Sequence, residues 1–244
     1  MDLAPRFSRG AKVKPLSNGW RLLIPGDGAQ RYQVAQLDNC THTARRNFPY
    51  ASLEMSLRAR VSSASHPGTW GFGVWNDPYR ANLPRGETFL NALTLPNAAW
   101  FFYSSKESYL SFRDDLPANG FLAQVFHSPC VPLLPLAAAA LTFIFSRLRA
   151  RRQLRRLIHE DSAALRVDVT GWHNYWMDWR PGSVRFEVDG QSMLETTLSP
   201  KPPLAAVIWI DNQYACFTPQ GRVAFGTLGS PEARLEILDL ELKS

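Results

Sequence analysis

The chain has 244 residues, 27 Lys+Arg against 21 Asp+Glu for a formal charge of +6, 45% hydrophobic and 12% aromatic residues, 15 Gly and 18 Pro. A chain of this size can bury about three quarters of the surface its unfolded form exposes, which excludes disorder, collagen and coiled coil. The positive excess is local: residues 147–156 carry six Arg and no acid, the remainder is neutral, and nucleic acid is not an expected partner.

The first residues, Met1-Asp2-Leu3-Ala4-Pro5-Arg6, lack the apolar run of a secretory signal, so a cytoplasmic location is expected. Cys40, Cys130 and Cys216 are odd in number and widely spaced, which points to reduced packing residues rather than disulfides or a zinc site. Asn39-Cys40-Thr41 matches a glycosylation sequon and is read as chance. Residues 52–61 alternate, with Leu53, Met55, Leu57, Ala59 and Val61 on one face and Glu54, Ser56, Arg58 and Arg60 on the other, the pattern of a half-buried strand. Further strands are expected at 69–76, 98–104, 121–127, 172–179, 184–188 (followed by the turn Asp189-Gly190), 204–211, 222–226 and 235–242. With Gly, Pro and Asn turns between them, they predict an all-β antiparallel sandwich or barrel.

One segment departs from this. Residues 128–146 are uncharged, but Pro129, Pro132 and Pro135 crowd their start and shorten the helical part below a membrane span. From 136 to about 160 the chain is rich in Ala, Leu and Arg. The apolar stripe jumps around the helix axis near 147–149, which fits one helix or two. A single domain, 1–244, with a helical insertion at about 133–160 (129–162 with its flanks) is the expected organisation.

The C-terminal half carries Trp172-His173-Asn174-Tyr175-Trp176-Met177-Asp178-Trp179-Arg180-Pro181, continuing through Val184, Phe186, Val188, Asp189 and Gly190. This resembles the hairpin of glycoside hydrolase family 16 and related concanavalin A-like β-sandwiches. Residues 49–75, a strand with alternating Glu and Arg followed by Pro67-Gly68-Thr69-Trp70-Gly71-Phe72-Gly73-Val74-Trp75, are similar to that family's paired strands, and 232–242 to its closing strand. The resemblance covers about 80% of the chain and implies a jelly-roll sandwich. It leaves room for a structural calcium bound through oxygens; no cofactor and no metal motif is otherwise expected. Where the family carries its Glu-x-Asp-x-x-Glu strand, this chain has Asn97-Ala98-Ala99-Trp100-Phe101-Phe102-Tyr103-Ser104-Ser105, without a carboxylate. Retaining glycosidases need two carboxyls about 5–5.5 Å apart, so ordinary family chemistry is not expected.

Period-2 alternation suggests what replaces it. In 70–77 one face reads Gly71, Gly73, Trp75, Asp77; in 204–214 one face reads Ala205, Val207, Trp209, Asp211. Small residues ahead of a Trp and an Asp leave room for a ligand against the sheet. Asp77 and Asp211 are the candidate acid/base pair, since burial beside Trp raises a carboxyl pKa toward neutrality; capping of turns by Asx side chains is the plainer reading. Trp75, Trp100, Phe102, Tyr103, His173, Trp209, Asn212 and Tyr214 are the candidate ligand contacts. Arg147, Arg151, Arg152 and Arg155 form a basic face that suits a lid or an anionic membrane surface as well as plain solvation. The leading expectation is acid/base catalysis (isomerisation, cyclisation or lyase type) on a small lipophilic substrate by a peripheral membrane protein. The alternatives are a non-catalytic, lectin-like glycan-binding module and a divergent glycoside hydrolase using Asp77 and Asp211.

Overall fold

The computed structural model describes residues 3–8, 10–26, 31–40, 48–77, 95–129 and 147–244, with side chains in the helix from Arg151 onward. Two seven-stranded antiparallel sheets carry the chain. Sheet A runs β1 (Ala4–Phe7), β4 (Val34–Asp38), β13 (Ala205–Asp211), β6 (Thr69–Trp75), β7 (Ala98–Ser104), β8 (Gly120–His127) and β9 (His159–Ala164). Sheet B runs β12 (Gln191–Thr196), β11 (Ser183–Val188), β10 (His173–Arg180), β5 (Leu53–Val61), β16 (Ala233–Lys243), β3 (Gly19–Ile24) and β2 (Lys12–Leu16). A separate hairpin joins β14 (Gln213–Phe217) to β15 (Val223–Thr227).

β5 shows why the sandwich closes. Its odd-numbered side chains are buried and its even-numbered ones half-buried throughout, so one face drives into the space between the sheets. There Leu53, Met55 and Leu57 meet Phe72, Phe101, Tyr175 and Phe186. Phe101 stands edge-on to Tyr175 at 5.1 Å and to Phe186 at 5.1 Å, the ring geometry that gains most beyond area burial.

Sheet A behaves differently. Every residue of β6, β7 and β13 is buried, although only alternate residues can face the inter-sheet core. A second apolar layer therefore lies on the outer face of sheet A, built from Trp75, Trp100, Phe102, Phe126, Val207 and Trp209 and packed against Leu110, Phe112, Leu154 and Ile158.

The helix α1 (Arg147–Leu157) ends three residues earlier than its composition suggests. The Ile158 amide donates to the Leu154 carbonyl at 2.8 Å, Ile158 is buried in the outer layer, and residues 159–164 pair with β8 as an edge strand. Sheet pairing overrides the helix propensity of His159-Glu160-Asp161-Ser162-Ala163-Ala164, and the insertion stops short of the expected 160–162. Residues 130–146 lie outside the described residues, as does the choice between one helix and two. Among the described residues no helix is long and apolar enough to cross a membrane.

Candidate functional site

Strand register lays out the outer face of sheet A row by row. In the central row Asp38 is opposite Val207, Val207 opposite Gly73, Gly73 opposite Trp100, Trp100 opposite Gln124, and Gln124 opposite Ser162. The row on one side reads Gln36, Trp209, Gly71, Phe102, Leu122, Ala164; the other places Trp75 between Ala205 and Ala98, then Phe126 and Glu160. The large rings alternate with Gly and Ala, so they lie over neighbouring strands instead of colliding. Trp75 stacks on Trp209 at 5.9 Å and 11°, and Trp100 on Phe102 at 5.2 Å and 22°.

Gly71 is required for this packing. A Cβ there would come within 2.4 Å of the Phe101 carbonyl oxygen and 2.8 Å of Trp209 Cη2. The space that the two glycines clear is thus filled by indole from the same chain, not left open as the alternation suggests.

Four expected ligand contacts, Trp75, Trp100, Phe102 and Trp209, share this layer. Tyr103 does not: it has the opposite parity and points into the inter-sheet core, stacked on Trp70 at 5.5 Å. His173 belongs to β10 in sheet B, held by Asp189 at 2.7 Å and by the Asp168 carbonyl at 3.0 Å, remote from sheet A's outer face. Asn212 is a buried tie, its Oδ1 accepting from the Gln33 amide at 2.8 Å and its Nδ2 donating to the carbonyls of Arg31 and Leu228. Tyr214 lines a different groove, beside Lys106 and Tyr109.

Asp77 and Asp211 are both buried, but register sets them at opposite ends of β6. Asp211 pairs with Thr69, while Asp77 follows Trp75, which pairs with Ala205. Thr69 and Trp75 alone are six residues, about 20 Å, apart along the strand. Asp77 sits at φ 50°, a turn conformation Asp tolerates. Asp211 Oδ1 accepts from Thr69 Oγ1 at 2.8 Å, the Thr69 amide at 3.2 Å and the Gln213 amide at 3.1 Å. Trp209 Nε1 in turn donates to Thr69 Oγ1 at 2.9 Å, and His66 Nε2 donates to the Asp211 carbonyl at 2.6 Å. Burial pushes the Asp211 carboxyl up to about 7 against those hydrogen bonds. The arrangement is that of a strand-end cap.

Several polar groups on this face escaped the sequence reading. Tyr32 is pushed well above the usual phenol range, first by burial and then by the charges of Asp211 and Asp77. Asp38 is raised by burial, although Arg6 donates to it at 2.8 Å and Gln36 at 2.7 Å. At the far edge, Gln124 Oε1 accepts from Trp100 Nε1 at 3.2 Å, which leaves Gln124 Nε2 buried with no partner. Glu160 Oε1 lies 2.6 Å from Ser111 Oγ and accepts from the Arg113 amide, whereas Glu160 Oε2 and the facing Ser162 Oγ have none. Burial raises Glu160 above the usual carboxylate range. Asp38 was legible as the end of an alternating run, Val34-Ala35-Gln36-Leu37-Asp38. Glu160 and Ser162 were masked by the helix-like composition around them.

The Arg-rich face is partly committed inward. Arg151 is only 4% exposed and donates to the carbonyls of Ser111 at 2.8 Å and Phe217 at 2.9 Å and to Asp114 at 2.7 Å. It therefore docks the helix and is not a surface contact, which corrects the expectation for that residue. Arg152, Arg155 and Arg156 are exposed, Arg155 reaching Asp114 at 3.5 Å; the Arg147 side chain lies outside the described residues. Asn39, in the sequon, is buried with both side-chain atoms engaged, to Tyr50 and the Ala206 amide. Among the described residues no group of three or more His, Cys, Asp or Glu could hold a metal ion.

The chain matches no protein family and no curated protein in sequence. Among solved structures it is similar to LamAcat from Zobellia galactanivorans, with a TM-score of 0.51 and 13% identity over 95% of this chain and 80% of that one. A LamA variant from the same organism, in complex with laminaritriose and laminaritetraose, gives the same TM-score of 0.51 and 13% identity over 95% and 81%. The legume lectin-like domain from Entamoeba histolytica has a TM-score of 0.49 and 13% identity over 100% and 90%. At these identities the likeness is one of fold, and the fold is a concanavalin A-like β-sandwich.

Proposed function

We propose that the protein is a non-catalytic, lectin-like module that binds a small glycan on the outer face of sheet A. The observation that carries this reading is the aromatic layer of Trp75, Trp100, Phe102 and Trp209, each no more than 5% exposed and so open to a sugar only along its border, where three buried polar atoms have open valences, Gln124 Nε2, Glu160 Oε2 and Ser162 Oγ. A sugar ring offers an apolar face and a rim of hydroxyls, which the floor and the donor–acceptor set respectively complement. Orphaned polar atoms in a native interior call for a partner. Against catalysis, the outward face of β7 consists of Ala98, Trp100, Phe102 and Ser104, and Asp211 Oδ1 is engaged as a cap by three donors. The register sets Asp77 and Asp211 at opposite ends of β6, wider apart than either spacing of paired carboxyls, about 5–5.5 Å or about 6.5–9.5 Å.

Titration of tryptophan fluorescence with laminari-oligosaccharides and a panel of gluco-, manno- and galacto-oligosaccharides tests the reading. Saturable binding without chain shortening on chromatography is expected. Silence from the whole panel at about 10 mM, or hydrolysis that Asp77→Asn abolishes, overturns it.

One observation favours a second reading. Trp100 is only 1% exposed, and so enclosed a floor also suits an amphipathic small molecule held away from water. Native mass spectrometry of the purified protein discriminates: a co-purifying lipophilic compound, displaced by no sugar, supports this reading over the first.

A further inference from the structure

A depression lies off sheet A, between the β14–β15 hairpin and the connection from β7 to β8. Its volume is about 480 Å³, within the range of small-molecule sites. The walls are fixed by backbone. The Tyr109 amide donates to the Ala215 carbonyl at 2.9 Å and the Phe217 amide to the Tyr109 carbonyl at 3.0 Å, tying the connection to β14. Asn119 Nδ2 holds the Ser108 carbonyl at 3.1 Å, and the turn from Thr218 to Arg222 closes on itself through the Thr218 amide and the Arg222 carbonyl at 3.0 Å. Arg151 lies over the Tyr109 ring at 5.5 Å, bracing that wall from the helix. Tyr214 rests against Gly226, where a Cβ would come within 3.1 Å of its ring; the glycine sets how deep the phenol sits.

The lining has a definite chemistry. Lys106 and Arg222 bring two cations from separate segments against one acid, Glu107, and neither cation has an ion-pair partner among the described residues. Ser108 is 2% exposed, lines the depression, and its hydroxyl has no hydrogen-bond partner. Tyr109 and Tyr214 add ring surface, and Asn119 and Thr218 add further hydrogen-bonding groups. Two cations without an ion-pair partner on the rim of one depression select an anion; the hydroxyl, amide and phenol groups select a ligand with hydroxyls of its own.

We propose that this groove is a binding site for a small hydroxylated carboxylate of the sugar-acid class, with Lys106 and Arg222 on the carboxylate and Ser108, Asn119 and the two tyrosines on the ring and its hydroxyls. It shares no residue with the aromatic floor, so the two proposals stand or fall separately. The test is calorimetric or NMR titration of the whole chain with glucuronate, galacturonate, glucose and inorganic phosphate. Glucuronate or galacturonate should saturate, glucose should fail, and phosphate should bind more weakly than either acid. Arg222→Gln and Lys106→Gln, both at exposed positions, should each weaken the sugar acid by about tenfold and together abolish binding with the circular dichroism spectrum unchanged. Raising salt from about 50 to about 500 mM should weaken binding in parallel. Equal binding of glucose and glucuronate, no binding of either acid at about 20 mM, phosphate binding tighter than both acids, or indifference to the double substitution each overturns the proposal.

Discussion

Replacing Asp211 by Asn separates a structural cap from a proton donor. The Asp211 carboxyl is wholly buried and pushed up from 3.8 to about 7, chiefly by burial, while hydrogen bonds from Thr69 and Gln213 pull the other way. A folded-state value above the unfolded one means that the native protein takes up this proton more readily. The contribution to stability is complete below about pH 3.8 and is lost as pH rises through about 7. At about 1.4 kcal/mol for each tenfold change in proton affinity, the loss approaches about 4 kcal/mol at its upper bound. Asn keeps an oxygen for all three hydrogen bonds and carries no charge to bury. Urea unfolding followed by tryptophan fluorescence at about pH 4 and about pH 8 should therefore show the variant gaining on wild type by about 2–4 kcal/mol toward the alkaline end. Parallel stability profiles would refute the assignment of a buried, protonated cap. A variant that loses stability at both pH values would show that the carboxylate itself holds the strand ends together.

Three further outcomes are expected. Gly71→Ala should cost about 3 kcal/mol or more in chemical denaturation, because its Cβ would meet backbone oxygen and the Trp209 ring, whereas Gly229→Ala, with open space around it, should be within about 0.5 kcal/mol of wild type. Arg151→Ala should destabilise by about 2 kcal/mol or more and speed amide exchange in the helix, since it strips the buried Ser111 carbonyl and the partly buried Phe217 carbonyl of their donor, while Arg152→Ala should change stability by less than about 0.5 kcal/mol; equal effects would show that the helix is not docked through Arg151. Ser162→Ala removes a buried hydroxyl with no partner, so stability should hold or rise by about 1 kcal/mol while glycan affinity drops by about tenfold; a drop in stability instead would mark the hydroxyl as structural.

The sandwich was legible wherever one face of a strand is wet or a whole strand is apolar. Residues 52–61 announced β5 through alternation, and 98–104 announced β7 through an unbroken apolar run. β9 was not legible, because His159-Glu160-Asp161-Ser162-Ala163-Ala164 has helical composition and becomes a strand only through pairing with β8. Period-2 parity correctly groups Trp209 with Asp211 on a single face of β13, but it does not reach Asp77, which lies past the end of β6 in a turn, and it cannot say which face of the sheet is involved or what covers it. Tyr103 illustrates the limit: one residue from Phe102, it belongs to the opposite layer. The polar edge at Gln124, Glu160 and Ser162 comes from two strands some 40 residues apart in sequence, and only register brings them together.

The contact between Gly71 and Trp209 has an evolutionary consequence. A bare backbone position and a large indole occupy one volume, so neither can change by itself without a clash or a void. In homologous chains the two positions should drift as a couple, glycine with tryptophan or a bulkier residue with a smaller one. A lineage that exchanged Trp209 for a small side chain while keeping Gly71 and Gly73 would expose a bare strip of β6 as a slot across the sheet. The width of this face is thus adjustable by a single codon, and ligand preference could diverge among relatives while the sandwich beneath stays the same.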